Sequence, residues 1–377
     1  MYWRLSGFYF FYFAALGALI PYWGLYLRDL GFGAAEIGEL VAIIIATKII
    51  APNVWGWIAD HSGRRMAVVR IGCLLAVLAF AGIFLGHGYG WLALVMSLFS
   101  FFWNAALPQF EAVTLNHLGD DTHRYSSIRL WGSIGFIVAV VALGALFDRA
   151  GTGWLPAVLV LLLGAIWLSS LLVPEATAAP PPSDHEPLRR VLAKPAVVSL
   201  LLVCFLLQAS HGPYYTFYSL YLSAHGYSET AIGQLWALGV VAEIGVFLRM
   251  HQWLPRFGAR RLLLAATALT ALRWLLTAWL VDQAWVMVAA QTLHAASYGV
   301  YHAVAIFLVH GLFTGPNQGR GQALYSSLSF GAGGAAGSLA AGYLWTGIGA
   351  SGMYVAAAAT AALAGLIAWR GIAPSSG

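Results

Sequence analysis

Long stretches of the chain are apolar on every face. Leu74–Leu85, Ile137–Phe147 and Ala157–Leu172 leave no polar stripe at a 3.6-residue period and show no alternation of the kind a barrel strand would need. Cutting the sequence at Gly, Pro and charge clusters predicts twelve helices, at 3–27, 37–59, 68–86, 90–116, 125–147, 153–173, 196–222, 230–254, 262–281, 284–311, 322–345 and 349–370. A hydrocarbon core about 30 Å thick needs roughly 20 apolar residues per helix. The predicted elements therefore have the length of membrane spans. The run from Phe8 to Leu27 has no small-residue cleavage pattern after it and reads as a retained helix.

Composition strengthens this picture. The 377 residues are 60% hydrophobic and 9% charged, against about 45–50% and about 25% in soluble proteins, which excludes a water-soluble enzyme. Cys73 and Cys204 both lie within apolar runs and build no disulfide framework. The net charge of +5 has meaning through its placement. Arg4, Arg64, Arg65, Arg70, Arg124, Arg189, Arg190, Lys194, Arg256, Arg260, Arg261, Arg320 and Arg370 fall on one side of the alternating loops, and only Arg28 and Arg149 on the other. The positive-inside rule then puts both termini in the cytoplasm.

Three domains are expected: a six-helix half at 1–173, a cytoplasmic linker at 174–194 carrying Pro180-Pro181-Pro182, and a second half at 195–377. A shift of 195 residues aligns Tyr26 with Tyr221, Gly31 with Gly226, Ile37-Gly38 with Ile232-Gly233, Gly63 with Gly258 and Arg65 with Arg260. A shift of 200 aligns Tyr125-Ser126-Ser127 with Tyr325-Ser326-Ser327. Matches in preserved order are the mark of parallel repeats.

After the second predicted span stands Gly56-Trp57-Ile58-Ala59-Asp60-His61-Ser62-Gly63-Arg64-Arg65. It resembles the G-x-x-x-D-R-x-G-R-R signature of the major facilitator superfamily, with His61 in place of Arg. The corresponding loop of the second half, Pro255 to Arg261, lacks the Asp. Glu111, Arg129-Leu130-Trp131-Gly132-Ser133, Ala242-Glu243, Arg273-Trp274 and Gln291-Thr292-Leu293-His294 resemble its proton-symporter branch, that of the permeases for 3-phenylpropionate and, more distantly, lactose. The resemblance implies an all-α membrane fold of twelve helices in two pseudo-symmetric halves. It implies substrate contact at Glu111 and Arg129, which are 18 residues apart, and a proton step at Arg273 and His294. Two features depart from the lactose type: Ser297 stands where a second carboxylate would follow His294, and Glu243 lies about one turn late. Lys48 and Glu243 fit the phenylpropionate type.

Charges inside spans cost roughly 2.5–3.5 kcal/mol each on insertion scales and mark function by default. Lys48, Glu111, Arg129, Glu243 and Arg273 are such charges. Glu111 and Arg129 are expected at similar depth and able to pair, Lys48 and Glu243, at equivalent positions of the repeat, to face one another across its axis, and Arg273 to neighbour Glu243. As substrate contacts the sequence nominates Lys48, Glu111 and Arg129, with Tyr9, Tyr12, Tyr214 and Tyr215. For proton coupling it nominates Glu243, Arg273, His294 and His302, and for a cytoplasmic gate Asp60, Gly63, Arg64 and Arg65. His294 and Tyr301, seven residues apart, are expected on one face of span ten, with His302 turned to another. His61 and His251 read as interfacial, His211 as a packing residue, and the cluster Gly331, Gly333, Gly334 and Gly337 as a site of close helix approach.

The expected function is proton-coupled import by alternating access in a bacterial inner membrane, by a monomer that engages a small organic solute, protons and lipid, without nucleic acid, cofactor or metal. The net positive charge near Lys48, Glu111 and Arg129 suits a monoanion, hence an aromatic carboxylate ahead of a sugar or nucleoside. A drug exporter would carry a glycine-proline kink in span five, and residues 132–146 hold no proline. An intramembrane enzyme would need H-E-x-x-H or G-x-S-x-G, and neither occurs. A non-transporting sensor would keep the same scaffold.

Overall fold

The computed structural model describes residues 1–176, 188–315 and 317–373. Among them every regular element is helical: α1 (Tyr2–Asp29), α2 (Ala34–Ser62), α3 (Arg65–Ala81), α4 (Tyr89–Trp103), α5 (Ala106–Leu118), α6 (Tyr125–Ala150), α7 (Leu155–Leu171), α8 (Leu188–Leu192), α9 (Pro195–Ser210), α10 (Gly212–Ala224), α11 (Glu229–Phe257), α12 (Ala259–Trp279), α13 (Ala284–Thr292), α14 (Tyr301–Leu312), α15 (Asn317–Ser326) and α16 (Gly334–Gly371). Ten helical stretches among the described residues are long and apolar enough to cross a membrane. The triple-proline run expected in the linker lies outside the described residues.

Several predicted spans are interrupted in ways that hydropathy does not reveal. The fourth breaks at Asn104-Ala105 and the seventh at His211, ahead of Gly212-Pro213. The tenth and eleventh contain π-helical turns, Ala295–Val300 between α13 and α14 and Ser327–Gly333 between α15 and α16. Within α16 the backbone breaks at Gly349, whose φ of 79° is left-handed.

Large apolar side chains point outward, among them Leu78, Leu161, Leu248 and Leu366. Exposed Trp3, Trp57, Trp91, Trp154, Trp279, Trp285 and Trp369 sit near helix ends. An outer surface of that kind would aggregate in water and suits lipid, with indoles at the headgroup level.

The chain forms two compact units, residues 1–180 with 227–234 and residues 181–226 with 235–377. In the first, α6 lies against α1 through Gly135, where an added Cβ would meet the Phe10 carbonyl oxygen at 2.1 Å. Asp148 accepts hydrogen bonds from the backbone N–H of Glu229 at 2.7 Å and of Thr230 at 2.9 Å, capping the first turn of α11. In the second, Gly212 and Gly337 bring the seventh and eleventh spans to backbone contact, since a Cβ on Gly337 would meet the Ala209 carbonyl oxygen at 2.1 Å. The small residues of spans seven and eleven are thus used for packing.

Candidate functional site

Three polar clusters stand out, two in the first unit and one in the second. The first follows α2. Gly63 closes that helix in the left-handed region at φ 65°, which favours a residue without Cβ. The turn lets Arg65, the first residue of α3, pair with Asp60 and donate to Gln109 Oε1 at 2.6 Å. Glu175 accepts from the Met66 N–H with both carboxylate oxygens, at 3.1 and 3.0 Å, while Arg70 donates to the Val173 carbonyl at 2.8 Å. An acid therefore sits at a helix N-terminus and a base at a C-terminus, each matching the local dipole. Arg64 is exposed, and its N–H donates to the Ser62 hydroxyl at 3.3 Å.

The second cluster joins α1, α5 and α6. Arg129 Nε lies 3.8 Å from Glu111 Oε1, and its guanidinium sits 3.9 Å from the Phe13 ring centre and 5.5 Å from that of Tyr9. Gly132 makes the space: a Cβ there would stand 2.8 Å from Arg129 Nη1. Tyr9 donates to Thr114 Oγ1 at 3.1 Å, and Tyr125 is hydrogen-bonded to Glu111 and to Tyr9. Tyr12 stacks on Trp103 at 5.0 Å, just before the Asn104 break, where Asn104 Nδ2 donates to Thr47 Oγ1 at 2.9 Å. The neighbouring Lys48 is half-buried, with no ion-pair partner among the described residues. The Arg129 and Glu111 side chains are 30% and 36% exposed, so both remain open to a solute.

The third cluster is drier. Arg273 of α12, 1% exposed, donates to His294 Nδ1 at 3.0 Å, Ser297 Oγ at 3.0 Å and Gln291 Oε1 at 2.6 Å. Its guanidinium lies 4.2 Å from the ring centre of Tyr214 and 4.5 Å from that of Trp274. Gln291 in turn donates to the Leu235 carbonyl at 3.2 Å and the Tyr214 hydroxyl at 3.4 Å. On the other side of the imidazole, His294 Nε2 is 3.6 Å from Glu243 Oε2. Two glycines permit the approach of the helices: a Cβ on Gly239 would touch the His294 ring at 3.2 Å, and one on Gly299 would touch Glu243 Cγ at 3.2 Å.

Hydrogen-bond chemistry fixes the protonation of this histidine. A guanidinium only donates, so His294 Nδ1 carries a lone pair and its single proton is on Nε2, facing Glu243. Arg273 thus reaches the carboxylate through a neutral imidazole. The sequence sets Arg273 beside Glu243, whereas the His294 ring stands between them, and it leaves Gln291 and Ser297, the other two acceptors, unassigned.

The facing expected for span ten is corrected. His294, Tyr298 and His302 form one stack, with ring centres 5.6 and 5.7 Å apart, whereas Tyr301 turns away to the Cys204 carbonyl at 3.5 Å. The π-helical turn between them widens the helix beyond the 3.6 residues per turn assumed from sequence. His302 Nδ1 meets the Tyr325 hydroxyl of α15 at 2.9 Å, a partner that sequence reasoning missed. Tyr214 is engaged by Arg273 and Gln291, while Tyr215 beside it is half-buried and adjoins His211 at 6.0 Å between ring centres.

The model of the MFS_1 like family matches residues 2–356. The "Probable 3-phenylpropionic acid transporter" of Escherichia coli (strain K12) is 30% identical over 346 residues, covering 89% of each chain. The "Maltose permease" of Geobacillus stearothermophilus is 29% identical over 345 residues, covering 89% of this chain and 86% of that one. Among solved structures, a D323A mutant of the nucleoside transporter NupG superposes with a TM-score of 0.87 at 14% identity, covering 99% and 100% of the two chains. Its likeness concerns the fold. The family match spans all three clusters, and the relatives are transporters, not enzymes; the chain belongs to the MFS_1 like family and is a multi-pass membrane transporter of the major facilitator superfamily.

Proposed function

We propose that the protein is a proton-coupled importer of a small aromatic carboxylate. Its working form is a monomer of twelve helices in two halves in a bacterial inner membrane, with both termini cytoplasmic. Counting α2 as a span and dividing the last apolar stretch at Gly349 takes the ten candidates to twelve. The observation that carries the proton assignment is the series Arg273, His294, Glu243, in which the imidazole meets the guanidinium at one nitrogen and the carboxylate at the other. When protonated, Glu243 is neutral and Arg273 holds the only formal charge; when ionised, it balances Arg273 through the imidazole. A proton at Glu243 therefore changes the net charge of the cluster and gives the two states that coupling requires.

Lys48 and Arg129 against Glu111 leave one positive charge in the first unit, beside the aromatic rings of Tyr9, Phe13 and Tyr12. That combination suits an aryl group bearing one carboxylate, the chemistry in the name of the phenylpropionic acid relative. Asp60, Gly63, Arg64 and Arg65 are assigned to a cytoplasmic gate in an alternating-access cycle. A second reading, a sugar symporter, is supported by the maltose permease relative.

Uptake into proteoliposomes separates the two. The proposal expects 3-phenylpropionate to enter under an inward proton gradient and maltose not to. Maltose uptake without response to aryl carboxylates would favour the sugar reading.

A further inference from the structure

The hairpin of α11 and α12 carries charge of one sign only. Between Glu243 and Asp282 the chain has Arg249, Arg256, Arg260, Arg261 and Arg273 and no acidic residue. Its counterpart in the first unit, α2 with α3, is balanced: Asp60 pairs with Arg65, and Glu175 accepts from the Met66 N–H. Two of the five arginines are committed, Arg273 to the third cluster and Arg260 to the Trp369 carbonyl. Arg249, Arg256 and Arg261 are exposed, and none of them has an ion pair among the described residues.

The position of Arg249 narrows what can answer this charge. Eight residues before Phe257, the last residue of α11, it lies about 12 Å inside the helix at 1.5 Å per residue. Arg256 follows seven residues later, two turns on and on the same face, with exposed Gln252 between them. Val241 and Leu248 lie beside that face and are 53% and 68% exposed. A guanidinium among outward-facing apolar side chains is costly in lipid unless it reaches a phosphate at the headgroup level. Trp369, which holds Arg260 through its carbonyl, is exposed at the end of the last helix, where interfacial indoles gather. We propose that the open face of this hairpin binds the headgroup of an anionic phospholipid, with Arg249 and Arg256 as its contacts and Arg261 adding charge across the turn. The lipid supplies the negative charge that Asp60 supplies in the first unit. A soluble phosphate would satisfy the charge alone, whereas a lipid also covers the apolar side chains around Arg249. The site goes beyond the transport reading and holds whichever solute is carried.

Native mass spectrometry of the full-length protein, titrated in detergent with phosphatidylglycerol or with phosphatidylcholine of the same acyl chains, reads the retention of each lipid. The unmodified protein is expected to retain phosphatidylglycerol in preference to phosphatidylcholine. Arg249→Gln and Arg256→Gln should each weaken that retention about fivefold, and the double variant about 25-fold. Arg249→Lys, which keeps a point charge, should retain the lipid, and Arg4→Gln, at an exposed arginine of α1, should leave retention unchanged. Glycerol 3-phosphate in solution should not displace the lipid. Equal retention of the two lipids, an Arg249→Gln variant that behaves as Arg4→Gln does, or displacement by glycerol 3-phosphate would each overturn the proposal. So would an Arg249→Gln variant that loses solute uptake while retaining phosphatidylglycerol, since its guanidinium would then serve the transport path.

Discussion

Arg273→Lys keeps the buried charge and changes only its shape. The guanidinium serves His294, Ser297 and Gln291 at once, at 3.0, 3.0 and 2.6 Å, while touching the rings of Tyr214 and Trp274. A lysine ammonium is a compact charge without the planar fork and leaves at least one of these buried acceptors bare. One bare acceptor costs about 1–3 kcal/mol, and the poorer ring contact about 1 kcal/mol. The sum is about 2–4 kcal/mol. For a chain of this length a midpoint moves roughly 1–2 °C per kcal/mol, so thermal unfolding followed by tryptophan fluorescence should fall by roughly 2–8 °C. Proton-driven accumulation should be lost as well, because His294 is no longer held as its Nε2–H form. Ser297→Ala removes a single acceptor, leaves Arg273 two others, and is expected to cost about 1 kcal/mol. A lysine variant with an unchanged midpoint and full accumulation would refute the argument, since it would show that charge alone suffices.

Gly135→Ala forces a methyl group against the Phe10 carbonyl; the helices must separate at about 1–3 kcal/mol, seen as a lower unfolding midpoint, while Gly164→Ala in α7, with nothing within 4 Å, should be silent. Arg129→Ala removes a charged donor from the open site and should weaken 3-phenylpropionate in both net uptake and exchange by about 10–100-fold, measured with labelled substrate. Asp60→Asn releases the Arg65 pair and should raise the labelling of cysteines introduced near the gate by a reagent applied from the cytoplasmic side; unchanged labelling would remove Asp60 from the gate.

The apolar runs made most helices legible, because a span must be continuous in hydrocarbon whatever its neighbours are. Glu111 and Arg129 were also legible as neighbours: a short turn returns the chain to the same depth, so an acid and a base 18 residues apart meet. The breaks at Asn104 and His211 and the two π-helical turns were not. Hydropathy records what faces lipid and is blind to an extra residue in one turn, and that extra residue decided which way His302 faces. The pairings made by Tyr325, Gln109 and Glu175 escaped notice for another reason. Each acts on a partner from another helix, His302, Arg65 and Met66 respectively, and no local pattern encodes such a pairing.

The central claim is that Glu243 carries the proton that drives a carboxylate inward, and accumulation in proteoliposomes under separately imposed gradients tests it most directly. One proton entering with one monoanion moves no net charge. A difference of one pH unit is worth about 1.36 kcal/mol, so it should concentrate 3-phenylpropionate about tenfold, and an imposed membrane potential should change nothing. Glu243→Gln should abolish that accumulation and retain exchange of labelled for unlabelled substrate. Accumulation driven by potential alone, or a Glu243→Gln variant that concentrates substrate as the unmodified protein does, would contradict the account.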